Sequence, residues 1–188
     1  IGTFIERCFF VRKTQRLVFI SIYCALALVL DYIKSFIPFL NMPSGGSINI
    51  ALIPIVVCSF HLGCIDGCFC GLLWWMISSI LGLNPYYISL SQYIVDYIIP
   101  SAIVGMSSIF YSRKKFFEME TGIFIAMFIR TFCLVSSGAV FWVEGVAANS
   151  VAAWIASCAY NLPYNIATTI MLLIITPLLA RSSKKFML

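Results

Sequence analysis

The stretch RLVFISIYCALALVLDYIKSF, residues 16–36, decides the fold. No charge interrupts residues 17–30, and Arg16 brackets the run on one side while Asp31 and Lys34 bracket it on the other. A helix of roughly 20 mainly apolar residues spans the hydrocarbon core of a bilayer, so this segment predicts a transmembrane helix. Working outward, five more apolar segments follow at about 48–62, 63–82, 89–111, 121–143 and 151–180. The chain is therefore read as a single all-α integral membrane domain, residues 1–188, with six transmembrane helices.

Composition agrees. The 188 residues are 62% hydrophobic and 10% charged, with mean hydropathy +1.01, whereas a soluble domain is about half apolar and a quarter charged. The lipid bilayer is the solvent for most of the chain, and six spans leave no length for a separate soluble domain. The segment 48–62 is short, follows the breaker cluster Asn41 to Ser47 and contains Pro54. It is expected to be tilted or irregular, which a membrane tolerates where backbone faces protein or a water-filled cavity. The run 63–82 starts at Gly63 and ends at Gly82, ahead of the turn residues Asn84 and Pro85.

Cytoplasmic flanks of membrane proteins carry an excess of Lys and Arg. Arg7, Arg12, Lys13 and Arg16 precede the first segment; Arg113, Lys114 and Lys115 lie between the fourth and fifth; Arg181, Lys184 and Lys185 follow the sixth. Six spans put all three groups on one side, so both termini are expected in the cytoplasm. No small-residue cleavage site follows the first apolar run, which reads as a retained helix.

The net charge of +5 does not signal nucleic acid, because the basic residues sit at the ends of apolar runs and do not interleave with aromatics on a polar face. The eight cysteines are scattered through apolar segments and read as small packed hydrophobes, not as a metal or disulfide framework. With one histidine, His61, no nucleophile motif and no GxxxxGK[ST] loop, neither catalysis nor ATP hydrolysis is expected. No cofactor or metal is expected. An intramembrane enzyme and a structural scaffold are the alternatives from other classes.

Charges inside a bilayer cost several kcal/mol, roughly 3 or more, and are functional candidates by default. Asp96, in SLSQYIVDY (89–97), has Gln92 one turn before it and Tyr93 and Tyr97 beside it. A carboxylate, an amide and phenols together suit a polar, cationic small ligand. Helix glue through an Asp96–Arg130 ion pair is the competing reading. Arg130 lies about nine residues, or roughly 13 Å, into its segment, and is read as a structural partner more than a ligand contact. Asp31 and Lys34 are expected at the outer interface, and Asp66 near water at the inner one. Trp74, Trp75, Tyr86, Tyr87, Tyr97, Trp142, Trp154, Tyr160 and Tyr164 gather toward the outer half. Singly such residues form interfacial belts; around an acid they could enclose a cationic ring, each contributing about 0.5–2 kcal/mol. Tyr160, Asn161, Pro163, Tyr164 and Asn165 put phenols and amides at a proline inside the last segment, where they must face the protein interior. On the first segment Ser21 and Ala25, four residues apart, make a small-residue face that lets another helix approach.

Five blocks carry a resemblance: MPSGGSINIALIPI (42–55), HLGCIDGCFCGLLWW (61–75), SLSQYIVDY (89–97), RTFCLVSSGAVFW (130–142) and ASCAYNLPYN (156–165). In this order they resemble the thiamine-specific substrate-binding (S) components of energy-coupling factor vitamin transporters. The resemblance implies the six-helix S-component fold in a prokaryotic cell membrane and thiamine, or a related vitamin, as transported ligand near the outer face. It also implies an energy-coupling transmembrane subunit and an ATPase pair as partners. Carried over residue by residue, it implies Trp75, Tyr86, Asp96, Tyr97, Trp142, Tyr160 and Asn161 as substrate-binding. It further implies a closing loop at Pro43, Gly45 and Gly46, and Ser21 and Ala25 as the docking face. The chain departs from the family at Leu134, where a His is common, at Ala156, where a Tyr is common, and at His61, where an Arg is usual. The first two bear on ligand identity. An S component for another vitamin, or a solitary carrier, stays open.

Overall fold

The computed structural model describes residues 2–42, 46–83, 87–111, 117–143 and 145–182, with side chains between 13 and 179, Phe117 excepted. Pro43, Gly45 and Tyr86 lie outside these residues, as do Arg113, Lys114, Lys115, Lys184 and Lys185. Six helical runs form among the described residues: α1 (Gly2–Lys34), α2 (Leu52–Leu62), α3 (Cys64–Ile80), α4 (90–105), α5 (117–142) and α6 (Val151–Ser182). Two are not uniform: α4 contains a π-helical turn at Ile94–Ile98, and α5 ends in one at Gly138–Trp142.

Three stretches are long and apolar enough to cross a membrane unaided, Lys13–Lys34, Glu118–Trp142 and Val151–Leu179, and α2 and α3 are shorter apolar helices. The surface shows what solvent they meet. Leu17, Phe128, Phe132, Ile155, Ile166 and Ile174 are exposed on the outer faces of α1, α5 and α6, an apolar girdle that only lipid can cover without cost. The molecule is an all-helical integral membrane protein.

At 11 residues α2 is roughly 16 Å long and too short to span a bilayer. It lies at the centre, packed against α1, α3, α4 and α6, and Leu52, Ile55, Val56, Cys58 and Phe60 are buried around its circumference. A helix apolar on every side belongs in such a position. Ahead of it, residues 41–42 and 46–51 are looped. Asn41 and Ser47 pair, Met42 N–H donates to Gly46 O at 3.0 Å, and Ile48 N–H donates to Leu40 O at 2.8 Å. Asn49 Oδ1 accepts from Ala51 N–H at 3.1 Å, a local turn that starts α2.

Close approach of α3 and α4 depends on glycine. A Cβ on Gly67 would fall 2.3 Å from Gly105 O, and one on Gly105 would fall 2.1 Å from Gly67 O. At the end of the bundle near the start of α1, Arg16 joins the α2–α3 corner: its Nε lies 3.4 Å from Asp66 Oδ2, and it donates to Leu62 O at 3.2 Å. Tyr23 and His61 hydrogen-bond at 2.9 Å on the same side. The opposite end is left open for the cavity described next.

Candidate functional site

A cavity of about 670 Å³ opens where the last turn of α1, the 46–49 loop, the second half of α3, the first half of α4, the end of α5 and the start of α6 converge. That size lies in the range of small-molecule sites, about 300–1,000 Å³. Of the residues expected from sequence to bind substrate, Trp75, Asp96, Tyr97, Trp142, Tyr160 and Asn161 all line it. Tyr86 lies outside the described residues. Gly46 lines it too, while its loop companions Pro43 and Gly45 are outside the described residues. Ser21 and Ala25 are elsewhere, on the exposed face of α1.

Local chemistry places Asp96. Ser89 is the N-cap of α4, its Oγ accepting from Gln92 N–H at 3.2 Å, which supplies an acceptor for one of the free amides of a helix start. Gln92 is thereby held with its side chain wholly buried; its Oε1 accepts from Ile88 N–H at 3.3 Å and its Nε2 donates to Asp96 Oδ2 at 2.9 Å. Trp142 Nε1 donates to the same oxygen at 2.9 Å. Both donors are neutral, and among the described residues no cation lies within ion-pair distance of the carboxylate. Tyr93 packs edge-on to Trp75 (centroids 5.5 Å apart) and beside Tyr97 (5.1 Å), which ties the aromatic wall of α3 to that of α4.

The opposite wall is a hydrogen-bonded column on α6. Ser157 Oγ donates to Val135 O at 2.7 Å. Asn161 Nδ2 donates to Ser157 Oγ at 3.2 Å and to Ser157 O at 3.1 Å, while Tyr164 hydroxyl donates to Asn161 Oδ1. Asn161 faces the cavity with its polar atoms already engaged inside the protein. The loop is seated on this column: a Cβ on Gly46 would lie 2.3 Å from Tyr164 Cδ1, and Asn49 N–H donates to Thr168 Oγ1 at 3.1 Å.

Three placements differ from expectation. Arg130 makes no ion pair with Asp96, and its Nε is buried without a hydrogen-bond partner; Asp96 is held instead by Gln92 and Trp142. Lys34 reaches the cavity and pairs with the buried Asp31 at 2.7 Å. Trp74, one of the aromatics expected in the outer half but not among those expected to bind substrate, lines the wall beside Trp75. Leu134 and Ala156, the two departures bearing on ligand identity, both line the cavity. The signal for Arg130 was present in sequence as an intramembrane charge; that no ion pair closes on it among the described residues was not. Among the described residues no cluster of three His, Cys, Asp or Glu side chains gathers to hold a metal.

Residues 17–188 match the profile of the family described as Thiamine transporter protein (Thia_YuaJ). The chain is 32% identical over 187 residues to the thiamine transporter ThiT of Bacillus subtilis (strain 168), an alignment covering 94% of this chain and 95% of that protein. Its fold matches that of ThiT from Listeria monocytogenes with a TM-score of 0.77 over 93% of this chain and 98% of the other, at 24% identity. At that identity the structural likeness speaks for the fold alone.

Proposed function

We propose, from the premise that this chain belongs to the thiamine transporter family, that it is the substrate-binding subunit of an energy-coupled importer and holds thiamine or a close relative in the cavity. The observation that carries the reading is Asp96, a carboxylate positioned by two neutral donors in an aromatic-walled cavity. In this reading the amino group of an aminopyrimidine donates to the Asp96 carboxylate. Trp75, Tyr97, Trp142 and Tyr160 supply π faces for a cationic thiazolium, each worth about 0.5–2 kcal/mol. Asn161 shapes the wall from inside its own network.

In this reading the basic clusters lie in the cytoplasm of a prokaryotic cell and the cavity faces outward, beside Gly46. Release inward needs energy, supplied by a transmembrane coupling subunit and its ATPase pair docking on α1. Support for that face is its chemistry: Ser21 and Ala25 are exposed, and Ser21 Oγ donates to Leu17 O at 2.9 Å, so no polar group there awaits a partner. A related vitamin as ligand is the second reading, favoured by Leu134 and Ala156 in the wall.

The test is tryptophan fluorescence of the detergent-purified protein titrated with thiamine. Trp75 and Trp142 should report saturable binding. A response to a different vitamin and none to thiamine moves the ligand and keeps the subunit; silence across a vitamin panel rejects the reading.

A further inference from the structure

The walls of α3 and α4 meet in an antiparallel register that runs into the cavity. A Cβ on Gly67 would fall 2.3 Å from Gly105 O, and one on Gly71 would fall 2.3 Å from Ser101 O. Each turn along α3 is thus matched by a turn back along α4, and at these two contacts the backbones themselves set the separation of the helices. One turn further, the same register brings Trp75 opposite Tyr97, and both residues line the cavity. From there on the spacing of the walls is set by side chains.

Among the described residues no direct ring contact joins Trp75 to Tyr97; Tyr93 bridges them. Its ring centroid lies 5.5 Å from that of Trp75, at 61°, and 5.1 Å from that of Tyr97, at 53°. Tyr93 stands at the head of the π-helical turn that carries Asp96 and Tyr97, and it is not among the residues lining the cavity. Tyr87, 63% exposed, packs edge-on against it at 5.6 Å and ties the cluster to the surface. Trp75 Nε1 has no hydrogen-bond partner among the described residues, so packing and not a polar contact holds the indole. Aromatic pairs prefer particular offsets and tilts, which an aliphatic side chain does not reproduce.

We infer that Tyr93 is a positioning residue for the binding site. From outside the cavity lining it fixes the spacing and tilt of Trp75 and Tyr97, two of the aromatic faces that receive the cationic ring, and does not itself touch the ligand. The inference rests on the reading of a thiamine-type ligand and extends it to a residue beyond the cavity.

The experiment is calorimetric titration of the purified full chain with thiamine, for wild type, Tyr93→Phe, Tyr93→Leu, Tyr97→Leu and the Tyr93→Leu/Tyr97→Leu pair. Thermal unfolding without ligand checks that each variant is folded. Tyr93→Leu is expected to raise the Kd about fivefold, the scale of one aromatic pair, and Tyr93→Phe, which keeps the ring, should retain the wild-type affinity. In the Tyr97→Leu background the same Tyr93→Leu change should cost only about twofold, because one of the two rings it positions is gone. An equal loss in both backgrounds marks a general packing role and overturns the inference. So does wild-type affinity in a folded Tyr93→Leu protein, or an equal loss in Tyr93→Phe; each leaves the proposed function intact. Should Tyr93→Leu fail to fold, Tyr93→Met is read in its place. If neither folds, Tyr93 is a packing residue and the inference falls. No binding by wild type overturns both readings.

Discussion

Trp142 and Asp96 meet across the cavity at 2.9 Å, and each lies in a π-helical turn, Gly138–Trp142 in α5 and Ile94–Ile98 in α4. A π turn holds one residue more than the α-helical turn it replaces and re-aims the side chains around it, which is why such turns concentrate at functional sites. Here two of them face one another, and the indole N–H of one orients the carboxylate of the other. Trp142→Phe keeps an aromatic face and removes this bond. It is expected to weaken thiamine binding several-fold, in line with about 1 kcal/mol for one hydrogen bond, while Trp142→Ala should weaken it much further. Calorimetric titration of the two variants separates the bond from the ring.

Among the described residues Asp96 is the only acid lining the cavity. Replacing it with alanine removes the group assigned to the aminopyrimidine and leaves Gln92 Nε2 and Trp142 Nε1 without their shared acceptor. A bond to a charged group contributes about 1.5–3 kcal/mol, so Asp96→Ala should raise the thiamine Kd by roughly 10- to 150-fold. Undiminished affinity in a folded Asp96→Ala protein would sink the assignment.

Gly46 has φ +76°, a left-handed conformation, and its α-carbon lies against the ring of Tyr164. Both facts bar a side chain there. Gly46→Ala should unseat the loop from α6 and speed thiamine release, with a smaller effect on entry. Stopped-flow fluorescence reads the two rates separately; an unchanged release rate would show that the loop does not retain the ligand.

The small-residue face of α1 predicts a separation of binding from transport. Ser21→Trp and Ala25→Trp project bulk away from the bundle, far from the cavity. Each should leave thiamine affinity in detergent within about twofold, since distant surface changes alter stability by only about 0.5 kcal/mol. Each should abolish uptake in cells carrying the energising partners. Normal uptake by both variants would remove α1 as the docking face.

Much of the architecture was legible residue by residue. The run from Leu17 to Leu30 has no plausible solvent but lipid, and the same holds for the long apolar stretches around Phe128 and Ile170. That the second helix would be short was readable from the breaker cluster Asn41 to Ser47 ahead of it, although the helix itself is regular through Pro54. Asp96 stood out because a carboxylate in an apolar helix is costly. The roles of Arg130 and Lys34 were not legible. Both are charges near or within a membrane span, and only distance decides which is paired: Lys34 is 2.7 Å from Asp31, and Arg130 is within ion-pair reach of no acid among the described residues. Polarity required Asn161 to face the protein interior and the family resemblance assigned it to the substrate, whereas its engagement with Ser157 and Tyr164 depends on how α6 turns.

By itself the sequence determined the solvent, the number of apolar segments and the presence of an acid that must face the interior. These follow from hydropathy and length, which are summed locally along the chain. The tertiary structure alone decided which faces converge on one cavity, which acceptors inside it are already occupied and which donor is left over. Those are pairwise distances between residues up to 130 positions apart, from Lys34 to Tyr164, and no local sum contains them.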